Sequence, residues 1–255
     1  MFLATDIGNS NIVIAIHDGQ KWKYKYRYET KDRQPGLFYE TLLRDLFLEW
    51  NINPSDIKDA ALSSVVPDIT EVIVLAIEAN IRYMPLVLGP EVFMKLDMGI
   101  PKIYEIGSDL VANAFAAKKQ FEKNTIIVDF GTALTFTIYN NASGIKGVTI
   151  SPGLKTIIST LSGNTAQLPE IEIKIPKFAI GTSTSTAIGA GVIFGFIGQV
   201  KEILNRIKQE LNAPYYIVAT GGLSSAIEVL STEFDIIDKD LTLEGIRLIK
   251  VSLDA

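Results

Sequence analysis

Two short stretches combine an acid with a glycine-bearing polar turn: Asp6-Ile7-Gly8-Asn9-Ser10-Asn11 and Asp129-Phe130-Gly131-Thr132-Ala133-Leu134-Thr135. Each is flanked by apolar runs, which places it at the bend of a hairpin. Such a bend suits a phosphate, because glycine lets the backbone come close, N–H groups and hydroxyls donate, and the carboxylate can hold a hydrated cation. Either acid alone reads as an ordinary turn residue. As a pair at equivalent bends they read as organisers of phosphate and cation, and the two bends are expected to clasp one polyphosphate. A third acid, Asp109, follows Gly107-Ser108 where a helix should begin. A carboxylate there can orient and deprotonate an alcohol, or it can merely cap the helix, and the residue pattern leaves both open. Gly221-Gly222 either admits a nucleotide close to the backbone or is a plain strand-to-helix turn.

Composition narrows the chemistry further. The chain has no cysteine, so disulfides, thiolate nucleophiles and cysteine-based metal sites are excluded. Its single histidine, His17, lies in the apolar alternation from Ile12 and reads as a strand residue beside a turn, which disfavours a Ser/His/Asp triad. Carboxylates, hydroxyls, lysines and backbone groups remain. A net charge of −5 gives no general attraction to nucleic acid, which is not expected as a partner. No apolar run is expected to reach the roughly 18 residues of a membrane span. The start of the chain lacks a basic region or cleavage pattern, and a cytoplasmic location is expected.

The elements that must position these residues follow from periodicity. Strands are expected over residues 2 to 7 and 11 to 17, and the period of two in Trp22, Tyr24, Tyr26 and Tyr28 adds a third. Lys21, Lys23, Lys25 and Arg27 occupy the other face of that strand, which suits an outer strand protected against edge pairing. Helical spacing from Phe38 to Trp50, a strand from Ala60 to Val66, a helix over 68–81 and a short buried strand from Leu86 to Leu88 complete the first series. After a helix over 108–121 the pattern restarts, with strands Thr125 to Asp129, Leu134 to Tyr139 and Lys146 to Ile150. A helix over 153–163, an extended segment over 170–176 and a helix over about 184–211, some 40 Å long, come next. A strand from Tyr215 to Ala219, a helix from Ser224 to Leu230 and a last helix over 241–252 close the chain. Gly189, Gly191, Gly195 and Gly198 weaken the long helix, so close packing against another helix, here a partner subunit, is expected to compensate.

The restarted series, each with its acid-plus-glycine bend, resembles the actin, sugar-kinase and heat-shock chaperone superfamily. Within it the chain is most similar to type III pantothenate kinases, also called Bvg accessory factor proteins. The matching stretches are the two bends, Ser63-Ser64-Val65-Val66-Pro67, Gly107-Ser108-Asp109 with Ala112-Asn113, Ser151-Pro152-Gly153, Thr165-Ala166-Gln167-Leu168-Pro169 and Thr220-Gly221-Gly222.

The resemblance implies an α/β fold of two tandem ribonuclease-H-like (actin-like ATPase) domains with mixed sheets flanked by helices, divided at 1–115 and 116–255. It implies ATP-dependent phosphorylation of pantothenate, the first committed step toward coenzyme A, by a homodimer. Asp6, Ile7, Gly8, Asn9, Ser10, Asn11, Ile12 and Val13 would hold ATP phosphates, with Gly131, Thr132, Gly221 and Gly222 as further nucleotide contacts. Asp129 would bind a monovalent cation, potassium or ammonium, and Asp6 a hydrated magnesium. Gly107, Ser108, Asp109, Leu110 and Thr184 would contact pantothenate, with Asp109 accepting the proton. Leu110 stands where many members carry an arginine that engages the pantothenate carboxylate, Ile100 where a tyrosine is common, and Thr137 where an aspartate is common. The alternatives are a kinase of another small alcohol and a non-catalytic nucleotide-binding regulator of the transcriptional activator type.

Overall fold

The first strand, β1 (Phe2–Ile7), turns through the Asp6 bend into β2 (Asn11–His17), and β3 (Trp22–Glu29) follows. Both junctions are antiparallel, with Asp6 opposite Val13 and Ile12 opposite Tyr28. Alternation decides the faces of β3. Tyr24, Tyr26 and Tyr28 pack on the core, and Tyr24 stacks on Trp50 with ring centroids 5.2 Å apart, whereas Lys23, Lys25 and Arg27 are exposed. Helix α1 (Gly36–Glu49) then leads to β4 (Asp59–Ser64), which lies parallel to β1 with Ser63 opposite Asp6. Helix α2 (Pro67–Ile81) starts with proline at its first position, where the missing N–H costs no helical bond. Strand β5 (Leu86–Val87) completes a sheet of order β3-β2-β1-β4-β5. Leu3, Ile7, Ile12, Ile14, Ile16 and Leu62 cover one face of it, buried against Leu43 and Phe47 of α1 and Ile73 and Ile77 of α2.

After the short α3 (Pro90–Phe93) and α4 (Ser108–Phe121), the topology repeats. Strands β6 (Thr125–Phe130), β7 (Ala133–Asn140), β8 (Gly144–Pro152), β9 (Tyr216–Thr220) and β10 (Ile236–Ile237) form a second sheet of order β10-β9-β6-β7-β8. Read from the other edge, this is the order and strand direction of the first sheet: a meander of three antiparallel strands whose first member is flanked by a parallel one. Helix α5 (Leu154–Gly163) and the long α6 (Thr184–Leu211) accompany it. Ser183 and Thr186 close a reciprocal capping box at the start of α6, and Val192, Ile193, Phe196, Val200, Leu204 and Ile207 bury its inner face. Contrary to the expectation from sequence, this helix is long and apolar enough, by length and composition, to cross a membrane, yet it supplies the core of its own unit.

The structure, a computed structural model, describes residues 1–30, 34–163 and 173–254. The Thr165 to Pro169 stretch and part of the expected 170–176 segment lie outside them. The chain divides into one unit of residues 1–120 with 241–255 and another of residues 121–240. This differs from the expected division after residue 115 in two ways. Helix α4 runs unbroken to Phe121, and the last helix, α7 (Leu241–Asp254), packs on β1 and β4 in the first unit. Leu241, Leu243, Ile246 and Ile249 are its buried face, and Gly245 lies so close to the Ala112 carbonyl of α4 that any side chain there would overlap it. The helix expected from Ser224 to Leu230 is instead a series of turns followed by a 3-10 helix over Glu228–Glu233. Ser224 explains this, since its hydroxyl donates to the Gly221 carbonyl at 2.8 Å and draws the chain into a turn. Val87 is 39% exposed, so β5 is less buried than expected.

Candidate active site

Asp6 lies near the end of β1, and the bend after it is closed by the Gly8 N–H donating to the Asn11 carbonyl at 2.9 Å. Thr30 braces it from β3's far end, its hydroxyl donating to the Gly8 carbonyl at 2.7 Å and its N–H to the Ser10 carbonyl at 3.0 Å. Asn9 and Ser10 are left exposed at the tip, while Ile7 and Ile12 anchor the strand ends in the core. The result is a braced polar turn with the Asn9 amide and the Ser10 hydroxyl at its tip, groups that suit a phosphate.

The second bend is one residue shorter between its strands. The Gly131 N–H donates to the Ala133 carbonyl at 3.1 Å, and the Thr132 carbonyl accepts from the Gly153 N–H at 3.0 Å and the Thr156 hydroxyl at 2.6 Å. Thr132 and Gly131 are exposed. Gly221, at φ +90°, brings the end of β9 against this bend so tightly that a Cβ would meet the backbone of Phe130 at 2.8 Å and overlap the Asp129 carboxylate. Both φ and space therefore restrict this position to glycine, and Gly222 follows in an exposed turn.

Asp129 shares its cross-strand row with Thr135 of β7 and Thr220 of β9. Both threonine hydroxyls are buried without a hydrogen-bond partner. Buried hydroxyls normally find one, so two orphans flanking a carboxylate suit an oxygen-liganded cation. Among the described residues there is no cluster of three acids, histidines or cysteines, and the donor set here is one carboxylate and hydroxyls, which fits a weakly charged ion better than a structural divalent one. Asp129 is legible in the sequence, but the two threonines are not, because ordinary strand propensity already accounts for them.

Asp109 opens α4. Its Oδ1 accepts from the Leu110 N–H at 2.9 Å, and a Cβ on Gly107 would stand 2.5 Å from that same oxygen. Burial pushes the Asp109 carboxyl above its ordinary value, and the Leu110 N–H opposes this only in part. Part of the residue still reaches solvent. A desolvated carboxylate with residual access is a better proton acceptor than an ordinary one. Ser108, by contrast, is buried, with its hydroxyl 2.9 Å from Ser63 Oγ, and Leu110 is turned into the core at 6% exposure. Further along α4, the Thr242 hydroxyl donates to Asn113 Oδ1 at 2.8 Å, which gives the Ala112-Asn113 pair a structural task beside Gly245. Asp6, Ser63, Ser108 and Asp109 thus converge at one end of the first sheet. In the second unit Thr184 is exposed at the start of α6.

His17 is as expected, a buried residue at the end of β2 whose Nδ1 accepts from the Gly19 N–H at 3.1 Å.

The family model for type III pantothenate kinases matches residues 2–206. The chain belongs to that family. It is 34% identical over 249 residues to a type III pantothenate kinase of Geobacillus thermodenitrificans, covering 98% of this chain and 96% of the relative. Identity is also 34% to one of Myxococcus xanthus, over 253 residues, 98% of this chain and 97% of that one. Among solved structures, a conserved putative Baf family transcriptional activator of Campylobacter jejuni superposes with a TM-score of 0.57 at 23% identity, covering 99% of this chain and 100% of that one. The structural likeness shows the fold, an actin-like architecture of mixed sheets flanked by helices. Among the described residues, the stretches that matched the family sit at the two bends, at the end of β4, at the start of α4, at the end of β8 and at the end of β9, whereas Thr137 is 1% exposed inside β7.

Proposed function

We propose that this chain transfers the terminal phosphoryl group of ATP to the primary hydroxyl of pantothenate, the first committed step toward coenzyme A. The observation that carries the reading is 34% identity across 98% of the chain to relatives named for that activity. Asp109 accepts the proton of the acceptor hydroxyl as its oxygen bonds to the γ-phosphorus. The bond from that phosphorus to the bridging oxygen breaks, and ADP leaves with the electron pair. Phosphoryl transfer of this kind needs little covalent help from the protein and depends on alignment and charge neutralisation.

The bend from Asp6 to Val13 supplies N–H groups and the Ser10 hydroxyl for ATP phosphates, and Gly131, Thr132, Gly221 and Gly222 supply further nucleotide contacts. Asp6 would hold the water shell of a magnesium ion, which would neutralise charge on the phosphates. Asp129, Thr135 and Thr220 would hold potassium or ammonium. Gly107, Asp109, the Leu110 backbone and Thr184 contact the acceptor. A homodimer is supported by α6, where Gly191, Gly195 and Gly198 have open space beside them and Phe194 is 37% exposed.

Buried, apolar Leu110 offers no charge to a carboxylate, which supports a second reading, a kinase of another small alcohol. A coupled ATP-consumption assay decides between them: turnover that requires pantothenate supports the first, and turnover only with a different alcohol supports the second.

A further inference from the structure

We infer that Ser108 is a positioning residue, which orients Asp109 by tying the first turn of α4 to the end of β4 through a hydroxyl pair with Ser63. The inference deepens the reading of Asp109 as proton acceptor and rests on it.

Three contacts meet at one atom. Ser108 Oγ lies 2.9 Å from Ser63 Oγ, 3.0 Å from the Ser64 nitrogen and 3.0 Å from the Ser64 carbonyl oxygen. A serine hydroxyl has one proton and two lone pairs. The Ser64 N–H donates to it, and its own proton goes to the Ser64 carbonyl. Ser63 is therefore the donor in the hydroxyl pair, and Ser108 Oγ is fully used. Ser63 is 0% exposed and Ser108 6%, so water competes little with these bonds. No capacity is left on the Ser108 hydroxyl for an acceptor molecule, although the next residue, Asp109, reaches solvent.

The knot acts at the right place. Ser63 stands opposite Asp6 in the β1–β4 register, so the first turn of α4 is referenced to the same strand ends that carry the phosphate bend. Further along, Gly245 against Ala112 and Thr242 on Asn113 fix α4 from its other side. With both points held, the start of the helix cannot slide, and Gly107 leaves room for the observed carboxylate direction. The arrangement is not a general property of such a strand end. In the second unit Thr220 occupies the position equivalent to Ser63, and its hydroxyl has no partner.

The test compares Ser108→Ala, Ser63→Ala, Ser108→Thr and Asp109→Asn in the full chain, measuring kcat, KM for ATP, the pH profile of kcat/KM and the melting temperature. Misplacing a catalytic group by about 1 Å can cost roughly 100-fold, so Ser108→Ala should lower kcat about 10- to 100-fold. Ser63→Ala, which keeps the Ser64 bonds and the fold, should lower it less, by about 3- to 10-fold. KM for ATP should stay within about twofold in both, since the phosphate bend is untouched. A loosened first turn admits water to Asp109, so the acid limb of kcat/KM should move to lower pH, and Ser108→Thr should restore it. Wild-type turnover in both alanine variants, or a loss of turnover with the acid limb unmoved, overturns the inference. If Asp109→Asn is inactive and Ser108→Ala fully active, this inference fails alone. Full activity of Asp109→Asn brings down the underlying reading as well.

Discussion

A Cβ added to Gly107 would stand 2.5 Å from Oδ1 of Asp109, closer than non-bonded carbon and oxygen can approach. The obstructed atom is the end of a side chain, so the carboxylate swings away and the backbone stays. Gly107→Ala should therefore lower turnover about 10- to 100-fold with little change in the midpoint of urea unfolding. A large fall in that midpoint would show that Gly107 serves the fold and not the carboxylate.

Asp109 also predicts a trade between activity and stability. Its folded carboxyl titrates above its unfolded value of 3.8, so the folded state binds more protons than the unfolded state between those two values. Stability contributed by this group is lost as pH rises through that window, and above it the buried charge is a standing penalty. Asp109→Asn should thus melt at a higher temperature than the parent at pH 7 while losing about 10²- to 10⁴-fold in turnover. Below the unfolded value, at about pH 3, the stability difference should shrink. A lower melting temperature at pH 7 would mean that the carboxylate is held by favourable partners and is not strained by burial.

Gly221 carries a different burden. At φ +90°, with the Phe130 backbone 2.8 Å from an added Cβ, neither conformation nor space tolerates alanine. Gly221→Ala should cost roughly 2 to 5 kcal/mol of stability in urea unfolding. A change below about 0.5 kcal/mol would show that the β9 end and the Asp129 bend yield easily.

The orphan hydroxyls beside Asp129 separate a cation site from a packing accident. Thr220→Val removes a hydroxyl that has no partner, so it should leave stability unchanged or raised by up to about 1 kcal/mol. If potassium is held there, the same change should raise its half-saturating concentration in the turnover assay several-fold, and Asp129→Asn should do so more strongly. Unchanged potassium dependence in both variants contradicts the assignment.

On α6, Gly195 is exposed, and a Cβ added to it would meet nothing within 4 Å. Gly195→Leu should keep the unit folded, since leucine also favours the helix by about 1 kcal/mol over glycine. Sedimentation should show a shift from dimer to monomer. A monomeric parent, or an unaffected dimer, would remove α6 as the interface.

Much of this architecture was legible because local periodicity and local turn chemistry produce it. The bounds of α4 and α6 and the alternation of Trp22 to Tyr28 follow from spacing alone, and the two bends from glycine between apolar runs. What escaped depends on residues far apart in sequence. Ser63 and Ser108 are joined across 45 positions, and nothing in either segment announces the bond. Helix α7 follows the second sheet in the chain yet packs in the first unit, because its amphipathic face and Gly245 match α4 and not its sequence neighbours. The departure at Ser224 to Leu230 has the opposite origin, a local side-chain bond that outcompeted weak helical spacing.

Product analysis decides whether Asp109 is the base that deprotonates pantothenate for attack on ATP. The purified chain, ATP, magnesium, potassium and pantothenate should give ADP and phosphopantothenate in equal amounts by mass spectrometry, and Asp109→Asn should give neither above about 1% of the parent rate. Equal production of both by Asp109→Asn would show that Asp109 is not the base, and ADP release by the parent without phosphopantothenate would show that pantothenate is not the acceptor.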